Sequence, residues 1–84
     1  MVKNRNSNDG SFSLRLANEG ESVRISSLRG GKNFRNRLVS MGLNVGSKIK
    51  IVQNRSGGKM LVGVEGARLF LGGGMANRIN VVIL

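Results

Sequence analysis

Few residues in this 84-residue chain could do covalent chemistry. It has no histidine and no cysteine, and its only acids are Asp9, Glu19, Glu21 and Glu65. Imidazole bases, thiolate nucleophiles and thiolate or imidazole zinc sites are therefore excluded. Lysine, serine and scattered carboxylates remain for acid, base or nucleophile roles, too thin a set for a catalytic site, so no enzymatic activity is expected. Glu19 and Glu21 are the only close acidic pair, too few oxygens for a hard cation. Met41, Met60 and Met75 could offer thioethers to a soft metal, but methionine at helical or alternating positions ordinarily fills a core, and Met41 and Met60 are read that way. No metal site and no cofactor is expected.

Two glycine-rich stretches invite a nucleotide. "GGK" at 30–32 would need a glycine at Ser26 and a magnesium-binding hydroxyl at Asn33 to be a phosphate loop, and both are missing. "LGGGMAN" at 71–77 has Asn77 in place of the third glycine of a dinucleotide fingerprint, with no helix of useful length after it. Both are better read as turns. The chain has 13 glycines and no proline, so glycine must shape its turns without any ligand being invoked.

Charge is the strongest compositional signal. Fourteen Lys and Arg against four acids leave a formal charge of +10, which attracts phosphates, acidic protein surfaces and anionic lipid. Lys32, Arg35 and Arg37 cluster on one segment, Lys48 and Lys50 alternate on another, and Arg55 and Lys59 flank a glycine pair. Recognition of single-stranded bases normally adds stacking aromatics, and Phe12, Phe34 and Phe70 are the only aromatic residues here. Nonspecific attraction to nucleic acid or anionic lipid is expected, without a specific nucleic-acid partner.

Positioning these residues requires a small β-rich domain. Residues 1–11 are polar and read as a flexible tail, leaving 12–84 as one domain. "SLRLA" is a short alternating piece with Leu14 and Leu16 on one side. "SVRISSLR" alternates Val23, Ile25 and Ser27 against Arg24, Ser26 and Leu28. Over about 33–41 the period becomes helical: Phe34, Leu38 and Met41 share one face, Asn33 is the expected N-cap, and Gly42 ends the helix. Next, "SKIKIVQN" turns Ile49 and Ile51 inward and Lys48 and Lys50 outward. "RSGGK" is a hairpin turn by composition, and "MLVGVE" places Met60, Val62 and Val64 in alternation. Gly66 sits in a turn, "ARLFL" sets Ala67, Leu69 and Leu71 against Arg68 and Phe70, and "RINVVIL" alternates Ile79, Val81 and Ile83. Five or six short antiparallel strands with one inserted helix predict a mainly β, SH3-like barrel.

"RLVSMGLNVGSKIKIV", together with "VGVEGARLFL" and "MANRINV", resembles the FeoA family over about residues 12–84. Arg37, Leu38, Met41, Gly42, Leu43, Gly46, Ile49 and Ile51 match its most specific stretch. Val45 stands where the family usually has proline, and "GGGMAN" lacks the basic residue and acids the family tends to place ahead of Ala76. The resemblance implies an SH3-like barrel serving as an accessory to a FeoB-type transporter of ferrous iron. It also implies kinship with the C-terminal barrels of metal-responsive repressors, in which the barrel can lend metal ligands.

The expected function is thus a non-catalytic accessory of bacterial ferrous iron uptake, cytoplasmic and brought to the inner face of the membrane by the transporter's cytosolic part. The alternatives are a basic nucleic-acid-binding barrel of the Sm or OB sort, or a stand-alone relative of the repressor barrels with weak transition-metal binding. Arg35, Arg37, Leu43, Val45, Lys48 and Lys50 are the expected docking residues, around a frame of Leu38, Met41, Gly42, Gly46, Ile49 and Ile51. Leu43 and Val45 serve docking only if exposed; buried, they form a structural hinge.

Overall fold

Alternating apolar residues decide the architecture: Val23, Ile25, Ile49, Ile51, Met60, Val62, Val64, Ile79 and Val81 all lie in one core. Together with Phe12 and Leu71 they belong, in a computed structural model that describes residues 10–55 and 59–84, to six strands. These are β1 (Phe12–Ser13), β2 (Ser22–Leu28), β3 (Lys48–Asn54), β4 (Met60–Val64), β5 (Ala67–Leu71) and β6 (Ile79–Ile83). They pair antiparallel in the order β1-β6-β2-β3-β4-β5. Helix α1 (Lys32–Ser40) is inserted between β2 and β3, and a single turn, α2 (Gly73–Ala76), precedes β6. This is the SH3-like arrangement expected. Among the described residues the two end strands, β1 and β5, are not paired with each other, so the sheet curls round its core without closing by hydrogen bonds.

Several local expectations need correction. "SLRLA" does not continue as a strand: β1 stops at Ser13, and Leu14–Leu16 forms a 3-10 turn that buries Leu14 and leaves Leu16 exposed. Two polar side chains explain it. Ser13 Oγ accepts from the Arg15 amide at 3.3 Å, and the Asn54 side-chain amide donates to the carbonyls of Arg15 (2.9 Å) and Ala17 (2.7 Å), holding the turn against the end of β3. In β2 the simple alternation fails at a bulge between Ile25 and Ser27. The extra residue flips the phase, so Leu28 is buried and Ser27 exposed, the reverse of the period-2 reading. Ile83, expected inward, is exposed at the last position of β6.

Helix α1 begins one residue earlier than expected and ends at Ser40. Its N-cap is Gly31, which makes no side-chain capping bond, so Asn33 is not the cap. Leu38 is fully buried, and Phe34 and Met41 pack partly buried against the core. A Cβ on Gly30 would lie 2.7 Å from Cδ2 of Phe34, so only glycine lets the helix start this close to its own aromatic ring. The Arg78 guanidinium covers that ring at 5.5 Å from its centre. Ser56, Gly57 and Gly58 of the expected hairpin turn, and residues 1–9 of the expected tail, lie outside the described residues.

Candidate functional site

The segment after α1 is built by backbone hydrogen bonds. Leu43 N donates to Leu38 O (2.8 Å) and Gly42 N to Val39 O (2.9 Å), the paired bonds of a Schellman motif, with Gly42 at φ +86° in the left-handed position that ends the helix. That motif puts a hydrophobic residue just past the glycine back over the last turn, and here Leu43 and Leu38 are both fully buried in the same core. Buried there, Leu43 cannot serve as a docking residue. It belongs to the hinge that fixes the helix on the sheet.

The following turn spans 44–47. Ser47 N donates to Asn44 O (2.9 Å), Ser47 Oγ accepts from Asn44 N (2.9 Å), and Gly46 stands at φ +96°. A left-handed third residue is the requirement of a type II turn, and its second position, here Val45, is where proline is commonest. Gly46 N and Ile25 N bond Ile25 O and Ser47 O, tying the turn to the bulge in β2. Val45 is left pointing into solvent, 61% exposed. Of the two residues in question, it alone is available to a partner.

Strand register then sets out the charges. Ile25 N donates to Ser47 O, and Ile51 N donates to Glu21 O. The intervening Arg24 and Lys48 are Cα partners at a non-hydrogen-bonded site, where opposing side chains come closest. Both are exposed. Lys50 lies opposite Ser22 on one side and Gly63 on the other, and Gly63 lies opposite Arg68. Arg24, Lys48, Lys50 and Arg68 thus share the outer face of β2 to β5. Like charges directly opposite are unfavourable in a sheet unless something of opposite sign is brought to them.

Arg35 does not join this face. Arg35 Nη2 donates to Leu28 O at 3.4 Å, at the far end of β2 from Ser22, the partner of Lys50. With about 3.3 Å per residue along a strand, those two anchor points stand roughly 20 Å apart. Arg37 is exposed on α1, and its carbonyl accepts from Ser40 Oγ at 2.7 Å. The expected patch is therefore divided between a helix end and the sheet face. Sequence reading missed Arg24, whose pairing with Lys48 depends on register, and Val39, 53% exposed near the end of α1.

Beside Lys48 lies an open cleft of about 420 Å³, lined by Gly46, Ser47, Lys48, Val64 and Glu65. Glu65 is the first central residue of the two-residue hairpin between β4 and β5, with φ +49°, followed by Gly66 at +83°. Two left-handed residues in a two-residue loop make a type I′ turn, in which Asn, Asp or Gly is usual at the first position. Glu19 and Glu21 are otherwise engaged: Glu19 Oε2 accepts from Asn54 N (2.9 Å) and Glu21 Oε1 from Asn18 N (2.6 Å). They cap backbone amides and hold the loop between the 3-10 turn and β2. Among the described residues, no three of His, Cys, Asp and Glu gather as metal ligands would. Nor is any helix among them long and apolar enough to cross a membrane.

Known proteins share this fold. The FeoA domain family matches residues 12–83. A protein of Methanocaldococcus jannaschii named Fe(2+) transport protein A is 37% identical over 70 residues, covering 83% of this chain and 84% of the relative. The crystal structure of an iron uptake regulatory protein, FeoA, superimposes with a TM-score of 0.83 at 32% identity, over 88% of this chain and 99% of that one. A manganese-dependent transcriptional repressor shares the fold alone: TM-score 0.81, 21% identity, 88% of this chain and 42% of the repressor.

Proposed function

Because the chain belongs to the FeoA family, we propose that it is a non-catalytic accessory of ferrous iron uptake that docks on the cytosolic part of a FeoB-type transporter and modulates it. The observation that carries this reading is the outer face itself. Arg24 and Lys48 oppose each other with Lys50 alongside, next to the exposed Val45 and an open cleft. An acidic surface with a small apolar contact would relieve the repulsion and cover Val45. Titrating the protein calorimetrically against the transporter's cytosolic domain tests the reading. Heat of binding is expected at low salt, weakening between about 50 mM and about 200 mM salt as exposed charges are screened. Reversal of Lys48 and Lys50 to Glu is expected to weaken it at least about tenfold, or about 1.4 kcal/mol. No heat and no chemical-shift change at low salt would remove the proposal. Tight, sequence-selective binding of single-stranded RNA instead would favour a nucleic-acid module, a reading that a single well-exposed aromatic, Phe70 at 66%, supports poorly.

A further inference from the structure

The two ends of the sheet are treated differently. β1 ends it with two residues, short enough to offer almost no template. β5 ends it with five, hydrogen-bonded only to β4 among the described strands. Edge strands in soluble proteins are normally kept short or covered, since their free amides and carbonyls template another strand. β5 instead carries Phe70 on its outer face, 66% exposed.

The hairpin fixes which backbone groups are free. In a two-residue loop the closing pair, here Val64 with Ala67, exchanges hydrogen bonds, and bonded pairs then alternate along the ladder. Val62 with Leu69 and Met60 with Leu71 follow as bonded pairs, while Gly63 with Arg68 and Leu61 with Phe70 are not. The N–H and C=O groups of Arg68 and Phe70 therefore point away from β4, toward the open edge. Their side chains stand on the outer face, Arg68 beside the side-chain-free Gly63 with Lys50 beyond it, and Phe70 beside the partly exposed Leu61. Leu69, between them, is partly buried on the inner side.

We propose that β5 is a docking edge for an acidic, extended segment of a partner protein, which adds to the sheet as an antiparallel strand. One of its carboxylates meets Arg68, and Lys50, beyond Gly63, adds its positive charge from farther along the face. An apolar residue two positions away lies on Phe70 and Leu61, and a small apolar residue between them reaches Leu69. Charge decides the occupant. A second copy would bring another chain of formal charge +10 edge to edge and set its Arg68 near this one. An anionic membrane could attract the cations but has no backbone to pair with the edge. The inference shares Lys50 with the docking face above but does not depend on a transporter.

The probe is an end-blocked pentapeptide, Leu-Val-Glu-Glu-Glu, with Leu-Val-Lys-Lys-Lys as control, added to the full-length protein and followed by NMR and amide hydrogen exchange. Expected are slowed exchange at the Arg68 and Phe70 amides with the acidic peptide and no change with the basic one. Arg68→Glu is expected to weaken the acidic peptide at least tenfold, and Phe70→Ser to weaken both its shifts and its protection. Both sites are exposed, so the variants should fold, which unchanged shifts of the core methyl groups would verify. Four results would overturn the proposal: shifts confined to Arg24 and Lys48, equal binding of the two peptides, concentration-dependent dimerisation through β5, or binding of phosphatidylserine vesicles at Phe70 without peptide binding. Because no transporter is present, failure here leaves the transporter reading untouched, and failure of that titration leaves this one.

Discussion

The turn at 44–47 and the hairpin turn at 64–67 line one cleft, yet they fill their left-handed positions differently. The first gives its single left-handed position to Gly46; the second gives its first to Glu65 and only its second to Gly66. Glycine adopts positive φ without steric cost, whereas a side chain there brings Cβ against the following carbonyl. The first turn is accounted for by its backbone bonds: it leads from the helix end at Gly42 into a strand and leaves Val45 outside. The second holds a strained carboxylate beside Lys48 on a strongly cationic face, where an asparagine or glycine would fold more easily. Strain that persists without a geometric need points to the side chain itself.

Mutation of the two turns tests that contrast. The largest effect is expected at the helix end that leads into the first. Leu43→Ala removes the residue that docks the helix end in the core and should cost about 2–5 kcal/mol by urea unfolding, enough to leave so small a domain largely unfolded. A loss under about 1 kcal/mol would mean the join is not what holds the helix. Gly42→Ala meets no atom within 4 Å, so its cost should be conformational alone, about 1–2 kcal/mol. At the second turn the sign should invert. Glu65→Asn is expected to stabilise by about 1 kcal/mol, raising the melting temperature by roughly 4–8 °C, because asparagine tolerates the left-handed region. No gain would dissolve the contrast. Smallest is Val45→Pro, expected to add about 0.4–1 kcal/mol by restricting the unfolded chain at a position suited to proline. If that variant also loses affinity for the transporter's cytosolic domain, the Val45 side chain is part of the contact.

What could be read in the sequence follows the same division. Regular alternation around Ile49 and Ile51, and the helical spacing of Phe34, Leu38 and Met41, gave strand, helix and inward faces because burial repeats with the geometry of the element. Gly42 and Gly46 were legible as turn makers since so few residues can stand where they do. Positions set by another segment were not legible. The β2 bulge that buries Leu28 depends on pairing with β6, and Leu16 turns outward because Asn54, far along the chain, holds the 3-10 turn. The candidate site divided for a similar reason: Arg35 and Lys50 are near in sequence, yet their anchors lie at opposite ends of β2, while Arg24 reaches Lys48 only through register. Val45 could be singled out from sequence, but its exposure and the burial of Leu43 needed the fold.

The opposition of Arg24 and Lys48 gives salt two effects of opposite sign. In the free protein, added ions screen a repulsion built into the sheet, so the folded state should gain stability as ionic strength rises. In a complex with an acidic partner the same ions weaken the attraction that relieves that repulsion. Unfolding midpoint and dissociation constant should therefore rise together with salt, the protein growing sturdier alone as it becomes a weaker binder. A surface whose charges served only solubility would show no such coupling at these two residues.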